Sequence, residues 1–477
     1  MDDKHEVQHM ELEAGSTKNE GGLYNYVPGS DEEKRLVRKI DRHLLPMLWI
    51  MYVFKLLEWF KADRTTSYID RSNIGNAKVG GMQADLKLSS SDYSLVLSIF
   101  FVGYLLNEVP CNMILSRSTP SIFLPTVMVL WGGMSIGAKG VNSLGGMVAF
   151  RLVLGLVEAG FFPGVMLLMS CWYKPVEMSK RIALFYTASL VSGAFGGLLA
   201  GGIIEGMEGV AGTRGWQWLF IIEGLATVVI ACVAYFVLPN YPTTTKWLSD
   251  SERELAVARL GTGRDEEGEH MSHWQAFKIA LKDPKTWVFM LIYNVLNSVG
   301  TISYFFPTLM TSLGYKGRKA QFMTTPIYCV ALVISVINGW NADRTGQKAY
   351  TVIGACLCGI ISFIICVTVH NNAVRYTFIC FGGAAIWTSV PIFLSWMVTM
   401  FDGREPRAIS IALINGVGNL SSVYGSFFWP SSDAPQYVTG FSITTALIGF
   451  AAILVALAKW RYQDKGFAGI PQRGTRW

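Results

Sequence analysis

The sequence from 145 to 172 reads GGMVAFRLVLGLVEAGFFPGVMLLMSCW, and it decides the class of fold. The run is long enough to cross a bilayer as an α-helix, which takes about 20 residues. It contains two charged side chains, Arg151 and Glu158. Because each ionised group at mid-membrane costs roughly 2.5 to 3.5 kcal/mol on insertion scales, the pair indicates a substrate or proton pathway. The structural alternative is that the two groups only neutralise each other or charges on neighbouring helices.

The spacing of Arg151 and Glu158 predicts how the two side chains are arranged on the helix. Seven residues turn a helix by about 700°, within about 20° of two full turns, and rise about 10 Å. The two side chains are therefore predicted to face the same side of the helix, one above the other along a single route.

The composition of the 477-residue chain is that of a polytopic membrane protein. Hydrophobic residues make up 51% of it and charged residues only 16%, which is too apolar for an ordinary soluble protein. The net charge of +6 is dispersed over short loops, so no nucleic-acid partner is predicted. The sequence shows no cofactor loop, nucleophile arrangement or metal-ligand cluster, and we therefore expect neither an enzyme nor a bound cofactor.

Twelve apolar runs divide the chain into two sets of six. They occupy residues 43–54, 93–115, 121–138, 145–172, 182–204, 216–238, 287–313, 321–340, 350–370, 376–401, 408–429 and 440–460. The pattern predicts an all-α membrane protein with 12 transmembrane helices. Its parts are a tail at 1–42, a six-helix half at 43–238, a linker at 239–284, a second six-helix half at 285–462 and a tail at 463–477.

The charges of the loops predict the orientation. With both termini in the cytosol, most of the 40 Lys and Arg residues fall in internal segments, as the positive-inside rule requires. In the linker, Ser249 precedes an amphipathic stretch and Glu252 follows three residues later, which predicts a helix that begins with a capping box.

One loop matches a known pattern. Residues 339–348 read GWNADRTGQK and resemble the G-x-x-x-D-R-x-G-x-K loop of the major facilitator superfamily. There the Asp can lie against a helix N-terminus, an electrostatically favourable contact that can latch one conformation. Asp343 and Arg344 are the residues of such a latch here, unless the loop is only a polar turn. The equivalent loop at 115–120, LSRSTP, lacks the Asp and the second Gly.

Four further segments carry a closer resemblance. They are DRSNIGNAK at 70–78, the Arg151 to Gly164 part of the opening run, GWQWLFIIEG at 215–224 and DAPQY at 433–437. Together they resemble the fungal anion:cation symporters, a branch that includes allantoate, nicotinate, pantothenate and biotin permeases. The resemblance implies a monomeric carrier of two six-helix halves with inverted three-helix repeats, located in the plasma membrane.

The resemblance also implies roles for four residues. Arg71 and Arg151 would attract a substrate carboxylate, while Asp70 and Glu158 exchange protons. The chemistry agrees, because Arg stays charged and offers a planar fork, whereas a desolvated carboxylate can gain and lose a proton near neutral pH. For Asp70 and Arg71, a charged cap at the end of a helix is the alternative.

Polar residues of the second half complete the candidate set. Asn294 and Asn297 share one helix face, and so do Asn415 and Asn419, so both pairs could present amides to a substrate. Interhelical hydrogen bonding explains them equally well. Glu108 is a further acidic group at membrane depth, for which a structural role is at least as plausible as proton transfer.

An insertion separates the first span from the Asp70 motif. In the family these segments are adjacent, whereas here residues 55–66, KLLEWFKADRTT, intervene. If helical, the insertion would add about 18 Å and carry Asp70 and Arg71 out of register with Arg151. Its charged side chains would also need water or partners. It is an unspliced or misannotated segment, an extracellular bulge, or an extended helix with altered function. The first account is favoured, and it predicts that the major product lacks most of residues 55–66.

The predicted function is proton-coupled import of a small organic anion, such as a vitamin carboxylate or an allantoate-like ureide. The proton gradient supplies the energy, and the expected partners are the anion, protons and the lipid bilayer. Two alternatives are a non-transporting nutrient sensor with a carrier fold and proton-driven efflux of a secondary metabolite.

Overall fold

The computed structural model describes residues 26–57, 90–260, 272–315, 322–430 and 433–462. Its regular elements are α-helices, joined by short turns of which several are 3₁₀. The all-α fold predicted from the apolar runs is confirmed.

The helices follow the predicted order of first half, linker and second half. The first half contains α1 (Asp31–Leu57), α2 (Ser90–Arg117), α3 (Pro120–Gly137), α4 (Leu144–Glu158), α5 (Phe161–Trp172), α6 (Met178–Met207) and α7 (Gly215–Val237). The linker contains α8 (Asp250–Leu260) and α9 (His273–Lys282). The second half contains α10 (Pro284–Gly300), α11 (Phe306–Ser312), α12 (Thr325–Thr345), α13 (Lys348–Thr368), α14 (Asn372–Met397), α15 (Arg404–Tyr424) and α16 (Val438–Tyr462).

Each predicted apolar run coincides with one or two of these helices. Among the described residues, eight segments are long and apolar enough to cross a membrane by length and composition. The other predicted runs fall on α1, α6, α10 with α11, and α15. In the linker, the predicted capping box is present, because Ser249 N–H donates to Glu252 and Glu252 N–H donates to Ser249 Oγ.

The opening run forms two helices rather than one. A turn at Ala159 and Gly160 separates α4 from α5. Pro163 explains the break, since it has no N–H to donate to the carbonyl of Ala159, four residues earlier. Glu158 therefore lies at the C-terminal end of α4, near the middle of the combined segment.

Helix α1 begins at Asp31, well before the apolar run that starts at residue 43. Ser30 Oγ accepts the N–H of Glu33 at 3.2 Å and caps the first turn. Leu36 and Ile40 are buried, and Lys39 pairs with Glu252 of α8 at 2.6 Å. The first turns of α1 therefore pack against the linker, and this packing explains why the helix begins before the apolar run.

The two halves meet along a few helix pairs. Helix α2 packs against α15, a contact named here the seam, and α6 packs against α12 and α14. Helix α5 also contacts α15. The end of the bundle that carries α8 and α9 is named the linker face, and the other end the opposite face.

Helices α2 and α4 approach closely at Gly155. A Cβ built at this residue would lie 2.1 Å from the carbonyl oxygen of Phe100. Any side chain here would push the backbones apart, so glycine allows the contact that sets Arg151 and Glu158 against α2.

We predict that Gly155→Ala destabilises the protein, because the added methyl would overlap the α2 backbone. Overpacking of this kind costs roughly 1–3 kcal/mol. The measurement is the thermal unfolding midpoint of the purified protein in detergent. Gly133→Ala on α3 is the control, since a Cβ there meets nothing within 4 Å. Equal midpoints for the two variants would contradict the close-contact argument.

Candidate functional site

A buried ion pair lies where α1, α2, α4 and α5 meet. Lys55 Nζ, in the last turn of α1, is 3.5 Å from Glu158 Oε1 at the end of α4, and both side chains are only 3% exposed. Lys55 Nζ also lies 5.4 Å from the ring centroids of Tyr104 and Phe161. The ammonium group is therefore held by a carboxylate and two aromatic faces, which compensate its removal from water.

Arg151 occupies the same face of α4, two turns away from Glu158. Its side chain is buried, and its guanidinium carbon lies 4.6 Å from the centroid of the Phe100 ring. Its Nε donates to the carbonyl of Val96 at 3.4 Å. Among the described contacts, Arg151 meets α2 and Glu158 pairs with α1.

One stripe of α2 organises these contacts. Val96, Phe100, Tyr104 and Glu108 recur every four residues and so share one side of the helix. The first two contact Arg151, and Tyr104 contacts Lys55. Of these four residues, only Glu108 was a candidate from the sequence, and the four-residue period links it to the other three.

Glu108 extends the site to the second half. Its Oε1 accepts a hydrogen bond from Asn415 Nδ2 of α15, across the seam. Asn415 Oδ1 in turn accepts from the hydroxyl of Tyr293 on α10 at 3.3 Å. The chain of hydrogen bonds joins both halves at the depth of the buried ion pair.

The other candidate asparagines bind neighbouring helices. Asn294 Nδ2 donates to the carbonyl of Val417 at 2.8 Å, and Asn297 Nδ2 donates to that of Gly418 at 3.1 Å. Asn297 Nδ2 also lies 3.5 Å from Asn419 Oδ1. These amides connect α10 to α15 within the second half, which is the interhelical use that the sequence left open.

Asp343 belongs to the last turn of α12 in the second half, and its side chain lies at the N-terminus of α6 in the first half. Its carboxylate accepts the backbone N–H groups of Ser179 at 2.8 Å and Lys180 at 2.7 Å. These are orphan donors of a helix terminus, and a carboxylate there is favoured by the helix dipole. Arg344 is exposed, with its guanidinium carbon 5.4 Å from the centroid of the Trp340 ring.

Further contacts join the halves at the linker face. Arg117 at the end of α2 pairs with Glu405 at the start of α15 at 2.8 Å. Ser179 Oγ lies 2.7 Å from Ser395 Oγ of α14, and Lys348 Nζ donates to the carbonyl of Pro175 at 2.6 Å. The described structure is therefore closed at this face.

A separate charged cluster fixes α8 to the first half. The fully buried guanidinium of Arg259 donates to Glu33 at 3.2 Å and to Glu177 at 2.6 Å. Glu33 also accepts from Lys174 and from the N–H of Gly29. Burial alone would raise the pKa of Glu33, but the hydrogen bonds from Lys174, Gly29 and Arg259 outweigh it and lower the pKa to about 2.

Some predicted residues cannot be placed. Asp70 and Arg71 lie outside the described residues, as does the part of the insertion from 58 to 66. Lys55, the first residue of the insertion, is the part that reaches the site. In the sequence, Lys55 and Glu108 stand out as charges at membrane depth. Their partners, Glu158 and Asn415, were not predicted because they are distant in the chain.

A groove with a volume of about 650 Å³ lies elsewhere. It runs between α12, α13 and α14, with Asn338, Gln347 and Thr388 among its lining residues. Lys55, Arg151 and Glu158 are not among its lining residues, so we do not assign the substrate route to this groove.

Comparison with known proteins finds a matching family and similar fungal transporters. The sequence profile of the Major Facilitator Superfamily matches residues 64–426. The chain is 35% identical over 465 residues to the MFS-type transporter cnsO of Penicillium expansum, covering 94% of this chain and 87% of that protein. It is 32% identical over 457 residues to the MFS transporter prlL of Fungal sp. (strain NRRL 50135), covering 93% and 90%.

The fold also resembles solved structures. The proton:xylose symporter XylE bound to 6-bromo-6-deoxy-D-glucose superimposes with a TM-score of 0.63 at 15% identity. The match covers 88% of this chain and 96% of that one. At this identity the likeness concerns the fold alone.

We predict that Arg259→Met releases α8 from the first half. The change leaves Glu33 and Glu177 without their shared cation, and breaking a buried pair costs about 3 kcal/mol or more. Thermal unfolding and amide hydrogen exchange of α8 are the measurements. Arg253→Met on the same helix is the control, because its partner Asp250 is 94% exposed and such surface pairs contribute about 0–1 kcal/mol. Protection of α8 that survives Arg259→Met would show that the cluster does not hold it.

Proposed function

The chain belongs to the major facilitator superfamily, and on that premise we propose that it couples the import of a small organic anion to protons. It is a multi-pass membrane protein with the fold of a secondary transporter. The proposal concerns the substrate class, the direction and the coupling, and it rests on the charges buried between the helices.

The buried pair of Lys55 and Glu158 carries the proposal. The two charges are 3.5 Å apart and almost completely removed from water, so each compensates the other. A substrate carboxylate can replace Glu158 as the partner of Lys55 only if Glu158 is neutralised. A proton on Glu158 does this, and the net charge of the site then stays constant. Anion and proton therefore load together.

Arg151 supplies a second cation on the same side of α4. Its guanidinium can bind a carboxylate through two parallel N–H groups, a geometry that an ammonium lacks. Its Nε donates to the carbonyl of Val96 at 3.4 Å, which places the guanidinium beside α2. Asn294, Asn297, Asn415 and Asn419 remain proposed contacts for the polar part of the anion, and Asp70 and Arg71 proposed members of the site.

The closed linker face supports a direction of loading. If this face is cytosolic, as the distribution of Lys and Arg indicates, the described conformation cannot release substrate into the cell. Asp343 at the N-terminus of α6, Arg344 beside it, and the Arg117–Glu405 pair are the contacts that must separate for release. We propose that binding from outside precedes their separation.

The class of anion follows from the site and from the family resemblance. Two cations and several amides suit a small carboxylate with polar substituents, and the segments at 70–78 and 151–164 resemble the fungal anion:cation symporters. We therefore propose vitamin carboxylates, allantoate-like ureides and related monocarboxylates as substrates, with the plasma membrane as the site of action.

We predict that Glu158→Gln abolishes proton-driven accumulation while exchange of the anion continues. The glutamine cannot take up a proton, yet it leaves Lys55 available to the substrate carboxylate. Uptake of radiolabelled nicotinate, pantothenate, biotin and allantoate into proteoliposomes under an imposed pH gradient provides the measurement. Accumulation should fall to the equilibrium distribution.

Glu208→Gln is the matched control, because Glu208 forms an exposed pair with Arg214 at 3.1 Å and should not affect coupling. Full accumulation by Glu158→Gln would refute the coupling role. Transport that runs only outward would select the efflux alternative, and signalling without accumulation would select the sensor.

We also predict that the native protein contains the insertion, contrary to the interpretation that the sequence favoured, because Lys55 pairs with Glu158. A product lacking residues 55–66 would join Phe54 to Ser67 and lose Lys55, the described partner of Glu158. Mass spectrometry of the protein purified from its native cells should detect peptides that cover 54–67. If the major product lacks them, Lys55 is not part of the working site and the proposed exchange is wrong.

A further inference from the structure

Glu108 places a carboxyl group in the contact surface between the two halves. Its side chain is 0% exposed, and its Oε1 accepts a hydrogen bond from Asn415 of the other half. Asn415 is held in turn by the Tyr293 hydroxyl. The carboxyl is therefore part of the seam itself, and any separation of α2 from α15 exposes it.

The second oxygen of this carboxyl is poorly compensated. Within the described part of the chain, Glu108 Oε2 has no hydrogen-bond partner. It faces Gly416, where a built Cβ would lie 2.8 Å from Oε2. A buried charged oxygen without a hydrogen bond is costlier than a neutral group in the same position. A proton on the carboxyl removes that cost.

The charges around Glu108 do not replace the missing partner. Lys55 on α1 acts on it electrostatically, but that ammonium pairs with Glu158 of α4, whose negative charge offsets part of its effect. Tyr104 and Cys111 on α2 and Tyr293 on α10 also surround it, and all three are neutral groups at ordinary pH. Arg151 contacts α2 at Phe100, about 12 Å along the helix from Glu108.

We propose that Glu108 holds a proton while the seam is closed and releases it when the seam opens. Closure favours the neutral acid because no water reaches the group. Opening separates Asn415 from the carboxyl, admits water and favours the carboxylate. By linkage, a proton on Glu108 stabilises the closed seam, and its loss stabilises the open one.

This role differs from that of Glu158. Glu158 exchanges its proton for an anion at Lys55, whereas Glu108 links its proton to the position of the two halves. The inference rests on the proposed transport function, since it describes how the same carrier controls its rocking motion.

The test uses the full-length protein in nanodiscs and needs no substrate. Infrared spectroscopy follows the carbonyl stretch of protonated carboxyl groups across a pH series, and amide hydrogen exchange follows the seam at 105–117 and 404–416 in the same samples. In the wild type, we expect a band from a buried protonated acid, and exchange at the seam should increase, after correction for its intrinsic pH dependence, as that band disappears.

Glu108→Gln keeps the acceptor oxygen for Asn415 and should fold, as its unfolding midpoint will show. It should lose the band and keep the seam protected throughout the series. Glu223→Gln on α7 is the buried-carboxyl control, because Glu223 is 5% exposed and lies outside the seam, and it should retain both responses. A band that persists in Glu108→Gln, or exchange that rises equally in that variant, would overturn the inference. Loss of proton-driven uptake in the wild type would instead refute the proposed function.

Discussion

The structure depends on one constraint, which is that a charge inside the membrane must have a partner. Lys55 and Glu158 satisfy it for each other, at 3.5 Å and almost without solvent. The surrounding features serve this contact. Pro163 ends α4 just after Glu158, and Gly155 brings α4 against the backbone of α2. A substrate anion can bind in this site only by replacing Glu158 as the partner of Lys55, and Glu158 must then take up a proton. Binding of the anion and binding of the proton are therefore linked.

The contacts at the linker face differ in strength, and the difference suits a moving carrier. A carboxylate at a helix N-terminus, such as Asp343, contributes roughly 0.3–2 kcal/mol, and a partly exposed pair such as Arg117–Glu405 about 0–1 kcal/mol. Differences of this size can be reversed by binding of a substrate. The cluster around Arg259 is buried and lies among elements of the first half and the linker, so we expect α8 to move with that half as one body.

The sequence predicts the helices well because their signals are local. Apolar runs, the Ser249 capping box and the unusual charges of Arg151 and Glu158 are all visible within short windows. The partners are not local. Lys55 and Glu158 are separated by the whole of α2 and α3, and Glu108 and Asn415 belong to different halves. The insertion was expected to disturb the site, yet its first residue, Lys55, contributes the cation beside Glu158. For the asparagines of α10 and α15 as well, the spacing in the sequence predicts a shared helix face but not which carbonyl each amide binds.

In the proposed mechanism, a proton and an anion bind in one site together. Calorimetric titration of the purified protein with a transported anion, in buffers of different ionisation enthalpy, measures the protons taken up on binding. We expect uptake of a proton with each anion bound by the wild type, and none by Glu158→Gln at the same pH. Binding of the anion to the wild type without any uptake of protons would contradict it.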